Sequence, residues 1–463
     1  MRDLSAIVKA YDVRGLVPDQ LDEDVARAVG AAFAHFTGAA RIVMAQDMRE
    51  SSAPLAAAFA DGATAQGADV LDAGLGSTDL LYFASGSLGL PGAMFTASHN
   101  PAKYNGIKLC RSGAAPVGQD SGLREVRALA ETDLPPGVRR GSIEHQDLLR
   151  AYAEHLRSLV DLSGIRPLTV VVDAGNGMAG HTVPAVLGSP RPLDSAGANA
   201  ALPPLPLTVV PLYFELDGTF PNHEANPLEP ANLRDLQAKV LQTGADIGLA
   251  FDGDADRCFV VDERGEPVSP SAITALVAVR ALAADPGGTV IHNLITSRAV
   301  PEVVREHGGV PVRTRVGHSF IKEQMAATGA VFGGEHSAHY YFRDFWRADT
   351  GMLAAMHVLA ELGASDRPLS ALTAAYTRYA SSGEVNSLVA DVVGRTAAVN
   401  EAYGGRVGAT VDHLDGLTVA LPDGSWFNLR PSNTEPLLRL NVEAPNEARM
   451  AALRDDVLAL VRG

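Results

Sequence analysis

The chain has 463 residues, of which 46% are hydrophobic and 20% are charged. This length exceeds what one hydrophobic core serves, so three or four domains of about 100–150 residues each are expected. The formal net charge of −16 argues against nucleic acid as a partner, because nucleic-acid-binding surfaces are basic. Any phosphate site must therefore be a local cluster of arginines on an acidic protein.

Two further features of the composition bear on location. No apolar run approaches the roughly 20 residues of a membrane span, and the charged start at residues 1–3 lacks the apolar region of a signal peptide. Cys110 and Cys258 form neither a metal-type spacing nor a disulfide framework, which favours a reducing compartment. We therefore predict a cytoplasmic protein that does not bind membranes.

Strands that alternate with helices predict βαβ units and largely parallel sheets over most of the chain. Helices are predicted at 22–36, 51–67, 78–87, 146–160, 231–243, 270–284, 298–307, 318–328, 393–403 and 446–462. Strands are predicted at 41–45, 69–71, 92–95, 168–173, 289–295, 310–314, 384–391, 416–420 and 425–429. The fold class is α/β, with three mixed-sheet domains at 1–143, 144–266 and 267–378 and a C-terminal α+β domain at 379–463. The Pro-rich segment 203–211 is expected to lead into a loop.

Three short apolar strands end in loops of functional type, one in each α/β domain. Phe95 precedes Thr-Ala-Ser-His, Phe251 precedes Asp-Gly-Asp-Ala-Asp, and Phe332 precedes Gly-Gly-Glu-His-Ser. Ligands of open α/β sheets bind beyond the carboxyl ends of the strands. We therefore expect these loops to face one central cleft.

The loop at residues 96–101, Thr-Ala-Ser-His-Asn-Pro, presents a serine that can act as a nucleophile. A serine needs a neighbour that activates it or takes its proton, and Lys108 is the nearest candidate. A polar turn with capping roles for Ser98 and Asn100 is the alternative.

The segment Asp252-Gly253-Asp254-Ala255-Asp256 sets three carboxylates two residues apart. On one loop they can converge on a hard cation such as Mg²⁺, whose remaining ligands would be water or phosphate oxygens. An EF-hand does not fit, because Arg257 takes the sixth position, where that loop needs glycine, and strand-like runs flank the segment. A solvated acidic loop is the remaining alternative.

Two later segments carry polar groups of other kinds. Residues 333–339, Gly-Gly-Glu-His-Ser-Ala-His, offer groups suited to sugar hydroxyls, although a structural turn is equally compatible. Residues 430–436, Arg-Pro-Ser-Asn-Thr-Glu-Pro, together with Arg439 provide the guanidinium and hydroxyl groups of a phosphate cradle.

Gly175-x-Gly177-x-x-Gly180 resembles a dinucleotide fingerprint, but no acidic residue ends a second strand at the required distance. We interpret these glycines as a tight strand-to-helix turn.

Four motifs, taken in their order and spacing, resemble those of the α-D-phosphohexomutase family over nearly the whole chain. They are Thr-Ala-Ser-His-Asn-Pro, Asp-Gly-Asp-Ala-Asp-Arg, Gly-Glu-His-Ser-Ala-His and Arg-Pro-Ser-Asn-Thr-Glu-Pro. The similarity is greatest to bacterial members that act on mannose phosphates, some of which also accept glucose phosphates. Two departures, Gln46-Asp47 for Arg-Asp and Asp349-Thr350 for Asp-Asp, lie at positions that we expect to be peripheral.

The resemblance implies a role for each matching residue. Ser98 would be the phosphoserine and a ligand of Mg²⁺ together with Asp252, Asp254 and Asp256. His99, Lys108 and Arg257 would assist transfer of the phosphoryl group. Substrate would be bound by Tyr11, Arg14, Gly317, His318, Glu335, Ser337, His339, Arg430, Ser432, Asn433, Thr434 and Arg439.

The implied reaction interconverts mannose 6-phosphate and mannose 1-phosphate through a sugar 1,6-bisphosphate. Glucose 1,6-bisphosphate or its mannose counterpart would be the activator, and a hinge near 370–380 would let the intermediate turn around. The partner is thus a small hexose phosphate, bound by a monomer or small homo-oligomer. A phosphoglucosamine mutase, which usually has Gln where this chain has His336, and a phosphoserine-dependent sugar phosphatase are the alternatives. A non-catalytic sugar-phosphate sensor would not need Ser98 or the three aspartates.

Overall fold

The computed structural model describes residues 3–132, 134–188, 202–432 and 437–463, and of His318 the backbone alone. The chain divides into two compact units. One comprises Met1–Val268 with Ser337–Leu372, and the other comprises Ser269–His336 with Thr373–Gly463. Each unit is described by itself below.

The first sheet is mixed. Its strands are β1 (Val13–Leu16), β2 (Arg41–Gln46), β3 (Asp69–Leu75), β4 (Gly92–Phe95), β5 (Tyr104–Arg111), β6 (Ala115–Pro116) and β7 (Ile143–His145), with helices α1 (Glu23–Thr37), α2 (Ser52–Ala65), α3 (Thr78–Leu88) and α4 (Leu123–Ala130). The order is β1-β5-β4-β2-β3-β7, with β6 on β5. β4, β2, β3 and β7 run parallel, whereas β5 is antiparallel to β1 and β4. Sequence periodicity did not indicate β5, which carries Lys108.

The second sheet places the three-aspartate segment in a hairpin. Its elements are α5 (Leu149–Leu159), β8 (Leu168–Asp173), α6 (Ala179–Val186), β9 (Leu207–Leu212), α7 (Arg234–Thr243), β10 (Ile247–Phe251), β11 (Cys258–Asp262) and β12 (Pro267–Val268). β8 is parallel to β9 and β10, and β11 is antiparallel to β10, with Phe251 opposite Cys258. Residues 252–257 therefore close a β-hairpin, which explains why the EF-hand reading fails. The Pro-rich segment contains the strand β9 and is not only the approach to a loop.

Residues 269–373 contribute elements to both units. They are α8 (Pro270–Ala284), β13 (Thr289–Asn293), α9 (Ala299–Glu306), β14 (Val310–Thr314), α10 (His318–Thr328), β15 (Phe332–Gly334), β16 (Tyr340–Phe342), β17 (Ala348–Asp349), α11 (Gly351–Gly363) and α12 (Leu369–Thr373). In the second unit β13 is parallel to β14 and β15, and in the first unit β16 is antiparallel to β17.

The C-terminal region is an antiparallel sheet covered by two helices. Its elements are β18 (Ala380–Leu388), α13 (Val392–Gly404), β19 (Thr410–Asp412), β20 (Leu417–Ala420), β21 (Trp426–Pro431), β22 (Leu437–Ala444) and α14 (Glu447–Arg462), with strand order β18-β22-β21-β20-β19. Val399, Tyr403, Phe427 and Val457 lie in its core. The predicted α+β architecture is confirmed, although β18 begins four residues before the predicted strand.

Two general expectations can be compared with this fold. Cys110 and Cys258 are both buried, and neither forms a disulfide within the described residues. Among the described residues, no helix has both the length and the apolar character that crossing a bilayer requires. The predicted domain boundaries stay predictions.

Candidate active site

Ser98 lies in the loop that follows β4, where its side chain meets the hairpin of the second sheet. The residue is 6% exposed and has a φ of 51°, a left-handed conformation that is uncommon for serine. Its Oγ donates to Asp252 Oδ2 at 2.9 Å and lies 3.2 Å from His99 Nδ1. The predicted nucleophile and the first predicted metal ligand are therefore in direct contact.

Buried Arg49 fixes this serine loop, and sequence reasoning did not single it out. Its guanidinium donates to four carbonyl oxygens at 2.7–3.0 Å, those of Ser98, Asn100, Pro101 and Tyr104. Asp47, which is 1% exposed, accepts from Arg49 Nε at 3.2 Å. Asp47, which we expected to be peripheral, therefore supports the backbone of the serine loop through Arg49.

The three aspartates form a buried acidic cluster. Asp252, Asp254 and Asp256 are at most 1% exposed, and one oxygen from each lies within 4.8 Å of the others. Asp254 Oδ1 and Asp256 Oδ1 are buried without a hydrogen-bond partner. Buried carboxylate oxygens that converge and lack donors fit a hard cation such as Mg²⁺.

Two cations lie among these carboxylates. Lys108 Nζ donates to Asp254 at 2.6 Å and to Asp256 at 2.7 Å, and Arg257 Nε donates to Asp252 at 2.9 Å. Burial raises the pKa of Asp252 to about 7, although Arg257 acts in the opposite direction. Burial also raises the pKa of Asp254, but Lys108 and a hydrogen bond from Thr78 together bring it below its usual range. The positive charge thus favours the ionised form of the cluster.

A buried carboxyl, Asp79, joins three helices beside the cluster. It accepts hydrogen bonds from Ser77, from Tyr152 at 2.7 Å and from Thr350 at 2.6 Å. The neighbouring Thr78 donates through its hydroxyl to Asp254 Oδ2 at 2.5 Å and through its backbone N–H to Asp254 O at 3.0 Å. Asp79 therefore holds the start of α3, which in turn positions the aspartate hairpin.

His339 and Asp349 form the next contact around the cluster. His339 Nδ1 lies 2.9 Å from Asp349 Oδ2 and 3.8 Å from Asp256 Oδ1. Burial lowers the pKa of His339, but these two carboxylates outweigh burial and raise it overall. The expectation that this segment is peripheral is therefore wrong for Asp349, which contacts the predicted site residue His339. Thr350 contacts Asp79, which supports the site.

Arg14 also reaches the serine loop. Its Nη1 donates to Asn100 Oδ1 at 2.6 Å and to Ala97 O at 3.2 Å. Tyr11, three residues earlier, is half-buried. Both lie in the first unit, as do Ser337 and His339.

The remaining predicted substrate residues belong to the second unit. Glu335, which is 3% exposed, accepts from the N–H of Gly317 at 3.2 Å, and Gly317 adopts a φ of 133°. His318 begins α10. This contact joins two of the predicted sugar-binding segments within one unit.

The predicted phosphate cradle contains an acidic residue that sequence reasoning missed. Glu384, on β18, accepts from Arg430 Nη2 at 2.9 Å and from Arg439 Nη1 at 3.1 Å. The Nε atoms of both arginines are buried without partners, and Arg439 Nη2 lies 3.5 Å from Ser432 Oγ. Asn433 and Thr434 lie outside the described residues. One carboxylate thus holds the two guanidinium groups side by side.

Comparison with known proteins agrees with this geometry. Four models of the phosphoglucomutase/phosphomannomutase family match, for the alpha/beta/alpha domains I, II and III at residues 5–134, 150–265 and 269–379 and for the C-terminal domain at 384–460. A phosphomannomutase of Escherichia coli is 39% identical over 462 residues, covering 98% of each chain. A protein named phosphohexose mutases from Xanthomonas campestris pv. campestris is 41% identical, covering 98% of this chain and 99% of that protein.

Solved structures give the same result. A phosphoglucomutase/phosphomannomutase family protein from Burkholderia thailandensis is 34% identical and superposes with a TM-score of 0.87, covering 100% of this chain and 98% of that one. The fold, the family models and the relatives thus define an isomerase that moves a phosphoryl group. The chain belongs to the α-D-phosphohexomutase family, as its four motifs predict.

Gly253 gives a test of the contact between the two loops. A Cβ at Gly253 would lie 2.4 Å from the carbonyl oxygen of Ser98, so Gly253→Ala must separate the aspartate hairpin from the serine loop. Overpacking of this kind costs about 1–3 kcal/mol, and a displacement of about 1 Å can lower the rate about 100-fold. We expect kcat/KM for hexose phosphate to fall by that order. Gly164→Ala is the control, because nothing lies within 4 Å of its Cβ position; equal activity of the two variants would contradict the prediction.

Asp79 predicts a pH dependence of stability. Burial raises its pKa to about 6, so the folded state retains a proton that the unfolded chain releases near pH 4. The corresponding stability is greatest below pH 4 and is lost as pH rises through 6, about 3 kcal/mol in all. Asp79→Asn should remove this decline from denaturant unfolding measured between pH 4 and 7. Asp19→Asn, at an exposed position, should keep it; parallel profiles for wild type and Asp79→Asn would refute the assignment.

Proposed function

We propose that this protein is a phosphomannomutase that works through a phosphoserine at position 98. The observation that supports this proposal best is the contact of Ser98 Oγ with Asp252, 2.9 Å long, inside a cluster of three buried carboxylates and two cations. A phosphoryl group on Ser98 would be surrounded by the cations and donors that phosphoryl transfer requires. The names of the phosphomannomutases that are 39–40% identical support mannose phosphate as the substrate.

In the proposed reaction, the free hydroxyl of the sugar attacks the phosphorus atom of phosphoserine 98. The bond from phosphorus to the sugar oxygen forms as the bond to Ser98 Oγ breaks, and the hydroxyl proton passes to a protein base. The product is the 1,6-bisphosphate, which turns around and returns its other phosphoryl group to Ser98. Mg²⁺ held by Ser98, Asp252, Asp254 and Asp256 would offset negative charge on the transferring group.

The groups around Ser98 would have different roles in phosphoryl transfer. Arg257 would orient Asp252 and add positive charge, and Lys108 would do the same for Asp254 and Asp256. His99 Nδ1 lies 3.2 Å from Ser98 Oγ, so it would assist proton transfer at the serine oxygen, which is the leaving group of the first step. The base for the sugar hydroxyl would be Lys108 or another histidine of the site. Tyr11, Arg14 and His339 would complete the site in the first unit.

By resemblance to the family, further predicted residues would hold the rest of the sugar phosphate. Glu335 and Ser337 would bind the 3- and 4-hydroxyls, and Gly317 and His318 would also contribute to substrate binding. The cradle would bind the phosphate that does not react, through Arg430, Ser432, Asn433, Thr434 and Arg439. Glucose 1,6-bisphosphate would transfer a phosphoryl group to a Ser98 that has lost its own, and would so reactivate the enzyme. A hinge near 370–380, a cytoplasmic location and a monomeric or small oligomeric state stay predictions.

The first experiment follows the phosphoryl group. Intact mass should show one phosphate on active enzyme, and Ser98→Ala should lack it together with nearly all turnover. Enzyme labelled with isotopic phosphate on Ser98 should pass the label to mannose 1-phosphate products within one turnover. Release of the label as inorganic phosphate would instead identify a phosphatase. Coupled assays on mannose, glucose and glucosamine 1-phosphates should give the highest kcat/KM with mannose, and a glucosamine preference would refute the substrate assignment.

The second experiment tests the cradle. Arg430→Ala should mainly raise KM, because the spectator phosphate loses a charge-assisted contact worth about 2–4 kcal/mol. Circular dichroism should stay native. Arg454→Ala removes a half-buried arginine of the same domain that pairs with Asp455 and should leave KM unchanged. Unchanged KM and kcat/KM in Arg430→Ala would exclude this arginine from substrate binding.

A further inference from the structure

A cavity lies wholly within the second unit, and none of the residues assigned to substrate lines it. Its volume is about 390 Å³, within the range of small-molecule sites. One wall comes from the segment between β13 and β14, and the other from β20 and β21 of the C-terminal sheet. Leu294, Pro311 and Trp426 give the cavity an apolar surface.

Within the described residues, the guanidinium groups of two arginines of this cavity form no ion pair, although Glu443 Oε1 accepts from the backbone N–H of Arg298 at 3.0 Å. Arg298, at the N-terminus of α9, and Arg305 are seven residues apart and therefore lie on one face of the helix. Arg298 Nη1 donates to Gly424 O at 3.0 Å and Arg305 Nη1 to Pro301 O at 3.3 Å. Over the ranges of the chain that the structure describes, neither guanidinium is ion-paired. Both retain donors for a ligand.

The other charged groups of the cavity are already neutralised or uncharged. Arg313 pairs with Asp412. Glu302 accepts from Tyr379 at 2.7 Å and from Arg378 at 3.3 Å, so its negative charge is already partnered. Burial, with smaller contributions from Arg313 and Arg305, lowers the pKa of His292 to about 4, so this histidine is neutral near pH 7. Glu443 does not line the cavity, and its Oε1 already accepts from Trp426 Nε1 and from the Arg298 N–H. The side chains that line the cavity thus carry surplus positive charge.

This surplus is unusual in a chain with a net charge of −16. Guanidinium groups bind phosphate through paired, charge-assisted hydrogen bonds. The apolar wall offers few partners for sugar hydroxyls but suits the flat face or edge of an organic ring. We propose that this cavity binds an organic phosphate of about mononucleotide size, with its phosphate on Arg298 and Arg305 and its organic body against Leu294, Pro311 and Trp426.

Isothermal titration calorimetry on the full chain tests this proposal, with ADP and inorganic pyrophosphate as probes. ADP should bind saturably with one site per chain, and pyrophosphate should bind more weakly because it lacks the organic body. Equal affinities would overturn the role of the apolar wall, and no saturable heat with either probe at millimolar concentration would overturn the site.

Variants locate the binding. Arg298→Gln combined with Arg305→Gln should weaken ADP binding at least 10-fold. Arg454→Gln, which changes an arginine of the same unit outside the cavity lining, should not. Ala420→Phe fills the cavity without changing its charge and should also weaken ADP, which guards against a folding defect in the double variant. Arg430→Ala should leave ADP affinity unchanged. Loss of ADP binding in Arg430→Ala with retention in the double variant would place the ADP in the cradle and overturn the proposal.

Discussion

Three carboxylates buried within 4.8 Å of one another are the constraint on which the rest of this structure depends. At an effective dielectric constant of 20, each pair repels by about 3–4 kcal/mol. The sum, about 10 kcal/mol, is comparable with the whole stability of a typical domain. Positive charge must therefore lie among these carboxylates. Lys108 on β5 and Arg257 in the hairpin supply it from two different sheets, which ties the first α/β domain to the second through the site itself.

The serine must also be held at one fixed distance from this cluster. One buried arginine, Arg49, does so by binding four carbonyl oxygens of the segment around Ser98. The absence of a side chain at Gly253 allows the hairpin to reach the Ser98 carbonyl. Thr78 and Asp79 support the hairpin from the other side. The geometry of the nucleophile is thus set by residues that would not touch substrate.

The second unit handles positive charge in two ways. In the cradle, Glu384 holds Arg430 and Arg439 in parallel, so the guanidinium groups are oriented before an anion arrives and lose less side-chain entropy when it binds. In the cavity beside α9, Arg298 and Arg305 lack such a carboxylate. In the cradle, a carboxylate of the protein already pairs with the arginines. In the cavity, the positive charge of the arginines remains available to an anionic ligand.

The sequence by itself determined the fold class, the order of the main elements and the motifs from which the site is predicted. Ser98, the three aspartates, Glu335 and Arg430 lie in short contiguous motifs at strand ends, where local composition is informative. Arg49, Asp79, Asp349 and Glu384 were decided only by the tertiary structure. They act through contacts with residues far away in the chain: 49 positions separate Arg49 from Ser98, and 271 separate Asp79 from Thr350. No local sequence pattern predicts such pairs, because a buried charge is stabilised only by a partner that the tertiary structure brings next to it.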